Sequence, residues 1–240
     1  MKGQVADFTR PLTTVDIVVF RLKGEALEAL LVRRPRGAGE PFPGRWALPG
    51  GFIDVERDDD LESCARRKLT EKTGVAAPYL EQLGSFGSRS RDPRGWSATH
   101  VYFALLADGG PEPQAGGNAA ETRWFRISGD GVGETLAFDH GDLLAAALAR
   151  LRSKVEYTSL PVFLLPGEFT LPELQRTYEI VLGRSLEKKA FRTRILAADL
   201  LEAVPRMQAG GNRPAQLYRL RPRQGAHIFA RPFGSAEPPG

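Results

Sequence analysis

The sequence predicts an α+β protein in two parts, and three observations carry that reading. Short β-rich runs bounded by turn residues fill the first half, one long helical stripe interrupts them, and the last third switches to two helices and a hairpin. The predicted strands are Val15 to Arg21, Ala29 to Arg33, Gln82 to Phe86, Thr99 to Leu106 and Thr122 to Ile127, rich in β-branched or aromatic residues and flanked by Gly, Pro, Asp or Ser. Apolar residues at Leu61, Cys64, Ala65 and Leu69 predict a helix over 61–73, with Gly74 as its stop. The Gly/Pro-rich text DGGPEPQAGGNAA, 108–120, reads as a surface loop. A second helix follows over 142–155, with Leu144, Leu148, Leu151 and Val155 on one side and Asp142 as its N-cap. The boundary falls just after it, giving parts at 1–155 and 156–232 and a disordered tail at 233–240.

In the second part, Thr170 and Glu173 form a capping box and Pro172 sits in the first turn, so a helix starts there. Leu171, Leu174, Tyr178, Val181 and Leu182 make its apolar side and Gly183 ends it. Ser185 then caps a second helix whose buried stripe is Leu186, Phe191, Ile195, Ala198 and Leu201. Two helices across a tight glycine turn predict a helix-turn-helix. The second helix presents Lys188, Lys189 and Arg192 early and away from its stripe, with Thr193 and Arg194 flanking. That is where a recognition helix meets base edges and phosphates in the major groove. Residues 206–223 read as two strands around Gly210, Gly211 and Asn212, a wing carrying Arg206 and Arg213 toward the backbone or minor groove.

Composition agrees with this division. The chain is 42% hydrophobic and 26% charged, and no uninterrupted apolar stretch approaches the roughly 20 residues that span a bilayer, so no membrane partner is expected. The opening MKGQVADFTRPLTT lacks an apolar secretion segment and the lone Cys64 cannot form an internal disulfide, so a reducing cytoplasm is the expected home. The net charge of +4 is unevenly spread. Residues 150–232 hold 15 Lys and Arg against 7 Asp and Glu, a surplus of 8 positive charges that leaves the remainder at −4. Clustered cations of this kind suit a phosphate backbone.

The text GGFIDVERDDDLESCARRKLTEKTGV, from Gly50 to Val75, resembles the Nudix box, G-x5-E-x7-R-E-U-x-E-E-x-G-U with U apolar, and LLVRRPRGAGEPFPGRWALPGG before it resembles the strand and loop that lead into that box. The resemblance covers roughly residues 13–155 and implies an α/β/α sandwich with a mixed sheet. In working members the box carboxylates bind Mg²⁺ or Mn²⁺, because a hard divalent cation needs oxygen ligands and charge balance. Here the R-E-U-x-E-E segment reads Arg67, Lys68, Leu69, Thr70, Glu71, Lys72, so two of three glutamates are lysines. Lys68 and Lys72 are four apart and adjacent on a helix, and ammonium groups a few ångströms from a metal repel it by several kcal/mol at an effective dielectric of about 20. The loop is two residues longer than the pattern between Gly51 and Gly74, and Glu56 or Asp59 fills the remaining carboxylate position. No metal and no catalytic residue are therefore expected; were activity retained, Glu56 and Glu71 would carry it with Mg²⁺.

Such a domain can still bind a nucleotide. Arg33, Arg34 and Arg36 before the box, Trp46 and Phe52 around it, Arg67 and Glu71 within it, and Arg91 and Arg94 in the loop SRSRDPRGW are the candidate contacts. Guanidinium forks match phosphate oxygens and an aromatic face can stack on adenine.

The two halves together, including EYTSLPVFLLPGEFTLPELQRTYEIVLG, FRTRIL and RPAQLYRL, resemble the Nudix-related transcriptional regulator family, NrtR, over nearly the whole chain. The resemblance implies a homodimeric repressor of NAD biosynthesis or salvage genes that binds a double-stranded operator and senses ADP-ribose or a related nucleotide. The alternative is a Nudix hydrolase, an ADP-ribose or NAD-type pyrophosphatase with an accessory C-terminal domain.

Overall fold

A computed structural model describes residues 10–208, 214–222 and 225–233. β1 (Leu12–Lys23) and β2 (Ala26–Arg33) form an antiparallel hairpin, β3 (Trp46–Ala47) and β4 (Gly50–Phe52) are short strands, and α1 (Leu61–Thr73) follows. β5 (Tyr79–Ser88), β6 (Ser97–Leu106) and β7 (Glu121–Arg126) complete a seven-stranded sheet. Its spine runs β3-β2-β1-β6-β5, with β4 on β1 and β7 on β2. Only β1 and β6 pair in parallel, so the sheet is mixed as expected.

The alternation along β1 explains its nearly continuous apolar text. Val15, Ile17 and Val19 face Cys64, Ala65 and Leu69 of α1, whereas Val18, Phe20 and Leu22 face the opposite layer. That layer is α2 (His140–Val155), which buries Leu143, Leu144, Ala147, Leu148, Leu151 and Val155. A sheet covered on both faces needs apolar residues in both phases, and the result is the three-layer α/β/α sandwich. α1 spans the predicted range and is closed by an Asp60–Ser63 capping box and a left-handed Gly74. α2 begins two residues earlier than predicted. Asp142 lies inside its first turn; Asp139 takes the N-cap position but makes no side-chain cap, because its carboxylate is committed elsewhere.

Beyond Tyr157 a 3₁₀ turn (Leu160–Leu164) leads to β8 (Phe169–Thr170), α3 (Leu171–Leu182), α4 (Lys188–Ala197), β9 (Leu201–Gln208) and β10 (Ala215–Leu220). The Thr170–Glu173 capping box and the Gly183 stop of α3 are as predicted. α4 departs from the prediction at both ends. Its N-cap is Glu187, which accepts from the amides of Lys189 (2.9 Å) and Ala190 (2.6 Å), so Ser185 lies outside it. Ala198 closes the helix, Asp199 turns left-handed at φ 48°, and Leu201 already belongs to the hairpin, which therefore starts five residues before Arg206. β10 pairs with both β8 and β9, giving the three-stranded sheet of a winged helix.

One hydrophobic cluster runs without a break from β1, β6 and α2 through the 3₁₀ turn into α3 and α4. At its far end Phe233 packs on Tyr178, Phe191 and Phe229, with ring centroids 4.9, 5.7 and 5.1 Å away. Phe233 was expected to begin a disordered tail, yet it is buried and its amide donates to the Glu156 carbonyl at 2.6 Å. Residues 234–240 lie outside those described.

Candidate functional site

A cleft of about 270 Å³ opens where β1, β2, β4, α1, the 89–94 loop and the start of α2 meet. Its floor is polar and buried. Asp16 on β1 accepts from the Thr99 hydroxyl at 2.7 Å and lies 3.7 Å from Arg91, whose guanidinium grips Asp139 through two bonds of 2.9 Å. Gly50 must be glycine here, because a Cβ would sit 2.2 Å from an Asp16 carboxylate oxygen. His140 accepts the Leu48 amide on Nδ1 at 2.9 Å and turns Nε2 toward Asp16 at 3.8 Å. Burial holds its pKa below the ordinary histidine value, which keeps the ring neutral in that tautomer at neutral pH.

The walls carry the cations. Arg34 is held by Glu40 (2.8 Å) and the Pro41 carbonyl (2.7 Å) with its guanidinium 4.8 Å over Phe138. Arg33 is fixed by the Gly44 carbonyl (3.1 Å) and Glu121 (3.2 Å). Arg94 pairs with Asp92 at 2.7 Å and lies 5.1 Å over the ring of Phe52, an exposed aromatic at the cleft mouth. Lys68 and Lys72 project from successive turns of α1 into the same space. Lys72 contacts the Asn118 amide oxygen, and its pKa is lowered by burial first and by the neighbouring Lys68 ammonium second.

Of the predicted ligand contacts, Arg33, Arg34, Phe52, Arg91 and Arg94 come together in this cleft. Arg36, Trp46, Arg67 and Glu71 do not line it. Arg36 is exposed against Gly44, and Trp46 is buried edge-to-face with Phe125 at 4.9 Å. Arg67 binds the Asp58 carboxylate through two bonds of 2.6 Å and Glu71 at 2.9 Å, while Glu71 also receives Arg57 at 2.9 Å. Asp58, rather than Glu56 or Asp59, is thus the loop carboxylate that turns inward; those two are exposed. Asp16, Asp92, Asn118, Phe138 and His140 were missed. Only Asp16 left a signal, a charge inside the apolar run TTVDIVVF.

The donor set does not fit a divalent metal ion. Glu71 is taken up by two guanidinium groups, and two ammonium groups stand where oxygen ligands would be needed. Among the described residues no three His, Cys, Asp or Glu side chains group as metal ligands.

On the winged helix, Lys188, Lys189, Arg192 and Thr193 are exposed on α4 while Phe191 and Ile195 hold its other face in the core. None of the three cations has an ion-pair partner among the described residues. Arg194 is placed differently, half-buried with its guanidinium 4.6 Å over Phe233, so it clamps the helix to the C-terminal segment. Arg206 is exposed on β9 and paired with Glu168; Arg213 lies outside the described residues.

Comparison with known proteins covers both halves. The NUDIX domain family matches residues 10–129, and the NrtR DNA-binding winged helix domain family matches 161–220. An "ADPR responsive transcriptional repressor NtrR" of Acinetobacter baylyi is 47% identical over 217 residues, which is 90% of this chain and 85% of that protein. The crystal structure of Shewanella oneidensis NrtR complexed with a 27mer DNA superposes with TM-score 0.82 at 40% identity, covering 92% of this chain and 99% of that one. The NUDIX domain of the same Shewanella protein, cocrystallised with ADP ribose, is 41% identical with TM-score 0.56 over 62% of this chain and 94% of its own.

Proposed function

Because the chain belongs to the NrtR family of Nudix-related transcriptional regulators, we propose that it is a DNA-binding transcriptional repressor whose Nudix domain binds ADP-ribose and whose operator affinity changes with that binding. One observation carries the reading: a cleft lined by six cationic side chains and three carboxylates shares an unbroken core with a winged helix that exposes on α4 three cations with no ion-pair partner among the described residues. An excess of positive charge in a recessed site favours a nucleoside diphosphate, and the exposed ring of Phe52 offers a face for a base. The protein acts as a homodimer on a two-fold operator in the cytoplasm, regulates NAD biosynthesis or salvage genes, and needs no cofactor.

The test uses a duplex selected from a random library on the purified protein. Gel-shift affinity should fall when ADP-ribose is added. Lys188→Ala, Lys189→Ala and Arg192→Ala combined should abolish the shift at physiological salt, with the dependence of log affinity on log salt reduced by about 1 per lost phosphate contact. Unchanged DNA binding in the triple variant would refute the recognition helix, and indifference to ADP-ribose would refute the sensor.

A further inference from the structure

We propose that Lys68 and Lys72 are a built-in counterion pair for a diphosphate, so that their ammonium groups hold the two phosphate charges of the ligand with no divalent ion. The inference rests on the ligand class proposed above and adds the residues and the metal independence.

The charge ledger of the cleft points this way. Each of its carboxylates is already answered: Asp16 by Thr99 and Arg91, Glu40 by Arg34, and Asp92 by Arg94. Glu71, the one acid that α1 keeps nearby, turns to Arg57 and Arg67. Lys68 is left with no hydrogen bond or ion pair among the described residues, its Nζ resting 3.5 Å from where a Cβ on Gly51 would be. Lys72 meets only the neutral amide of Asn118. Two like charges one helical turn apart, facing one recess with no ion-pair partner among the described residues and only longer-range attraction from Glu40 and Glu71 on Lys72, repel each other as they stand. A diphosphate diester carries one negative charge on each phosphorus, the number and spacing that would relieve them. Glycine at 51, a cleft-lining position where a Cβ would sit 3.5 Å from the Lys68 Nζ, leaves room for a ligand oxygen to approach.

Calorimetric titration with ADP-ribose in EDTA and in Mg²⁺ tests the pair. The unaltered protein should bind with the same Kd in both buffers. Lys68→Gln and Lys72→Gln should each weaken ADP-ribose by about tenfold or more, leave adenosine binding unchanged, and recover when Arg replaces Lys. The lysines are half-buried, and circular dichroism together with retained operator binding confirms that each variant is folded. Binding that appears only with Mg²⁺, or glutamine variants that bind ADP-ribose normally, would overturn the inference while leaving the sensor reading intact. No binding of ADP-ribose in either buffer would instead overturn both.

Discussion

Replacing Asp58 by Asn isolates the contact that fixes the box loop to α1. Asp58 is almost fully buried, with its side chain 1% exposed, and both its oxygens accept from Arg67 at 2.6 Å. It also accepts the Asp54 amide at 2.8 Å. Removing one partner of a buried ion pair costs about 3–5 kcal/mol. Arg67 keeps Glu71 and asparagine keeps one carbonyl oxygen, so the expected loss sits near the lower end, about 3 kcal/mol, or a fall in Tm of about 6–12 °C for a chain of this size. The Arg67 guanidinium holds the Asp58 carboxyl well below the usual carboxylate range. A depressed folded-state value means that the stabilisation is complete above the unfolded pKa near 4 and drains away as pH falls below it, because the unfolded chain takes up the proton first. Urea unfolding of both proteins from pH 7 to pH 3 should therefore show a constant gap down to about pH 5 and a narrowing gap below about pH 4. A gap under about 1 kcal/mol at pH 7, or one that widens in acid, would refute the argument.

Phe233→Ala should cost about 3–4 kcal/mol by emptying the space between Tyr178, Phe191 and Phe229. Unchanged thermal melting would show that the C-terminal segment does not dock on α3 and α4. Arg91→Met should cost about 3–5 kcal/mol, since Asp16 and Asp139 lose their shared cation. Adding Asp139→Asn should recover at least about 1 kcal/mol in a double-mutant cycle, and strict additivity of urea midpoints would count against the buried network.

What the sequence disclosed and what it withheld follow from the range of the interactions. α1 was legible to the residue because its stripe, its stop at Gly74 and its length are local, and the Thr170–Glu173 box marked α3 for the same reason. The start of α4 was misplaced because Ser185 and Glu187 can both cap, and only burial of Leu186 beside α3 decides between them. α2 was shortened at its start because Asp139 looks like an ordinary loop acid until Arg91, 48 positions earlier, is brought against it. The cleft arginines Arg33, Arg34 and Arg94 could be nominated from the flanks of the box. Arg67 and Glu71 could not be excluded, since only the fold shows that they satisfy Asp58 and Arg57 instead of a ligand. Asp16 comes from within β1 and His140 from the start of α2, and no spacing relates them.

The arrangement also constrains how a ligand could alter DNA binding. An effector shifts an equilibrium only by contacting two arrangements with different strength, and a contact on an element that extends to the DNA-binding half is one way to meet that condition. α2 is such an element. Its first residue, His140, stands in the cleft floor with Asp139 held by Arg91 beside it. About 24 Å further on, the chain leaving its C-terminal end accepts Phe233 at Glu156 and Phe229 at Tyr157, while Glu156 also pairs with Arg184 in the turn before α4. Along its length α2 buries six side chains against the sheet, the 3₁₀ turn and α3, which leaves it little room to bend. Charge placed against the Arg91–Asp16–His140 floor therefore bears on one end of a helix whose other end anchors the segment that clamps α4.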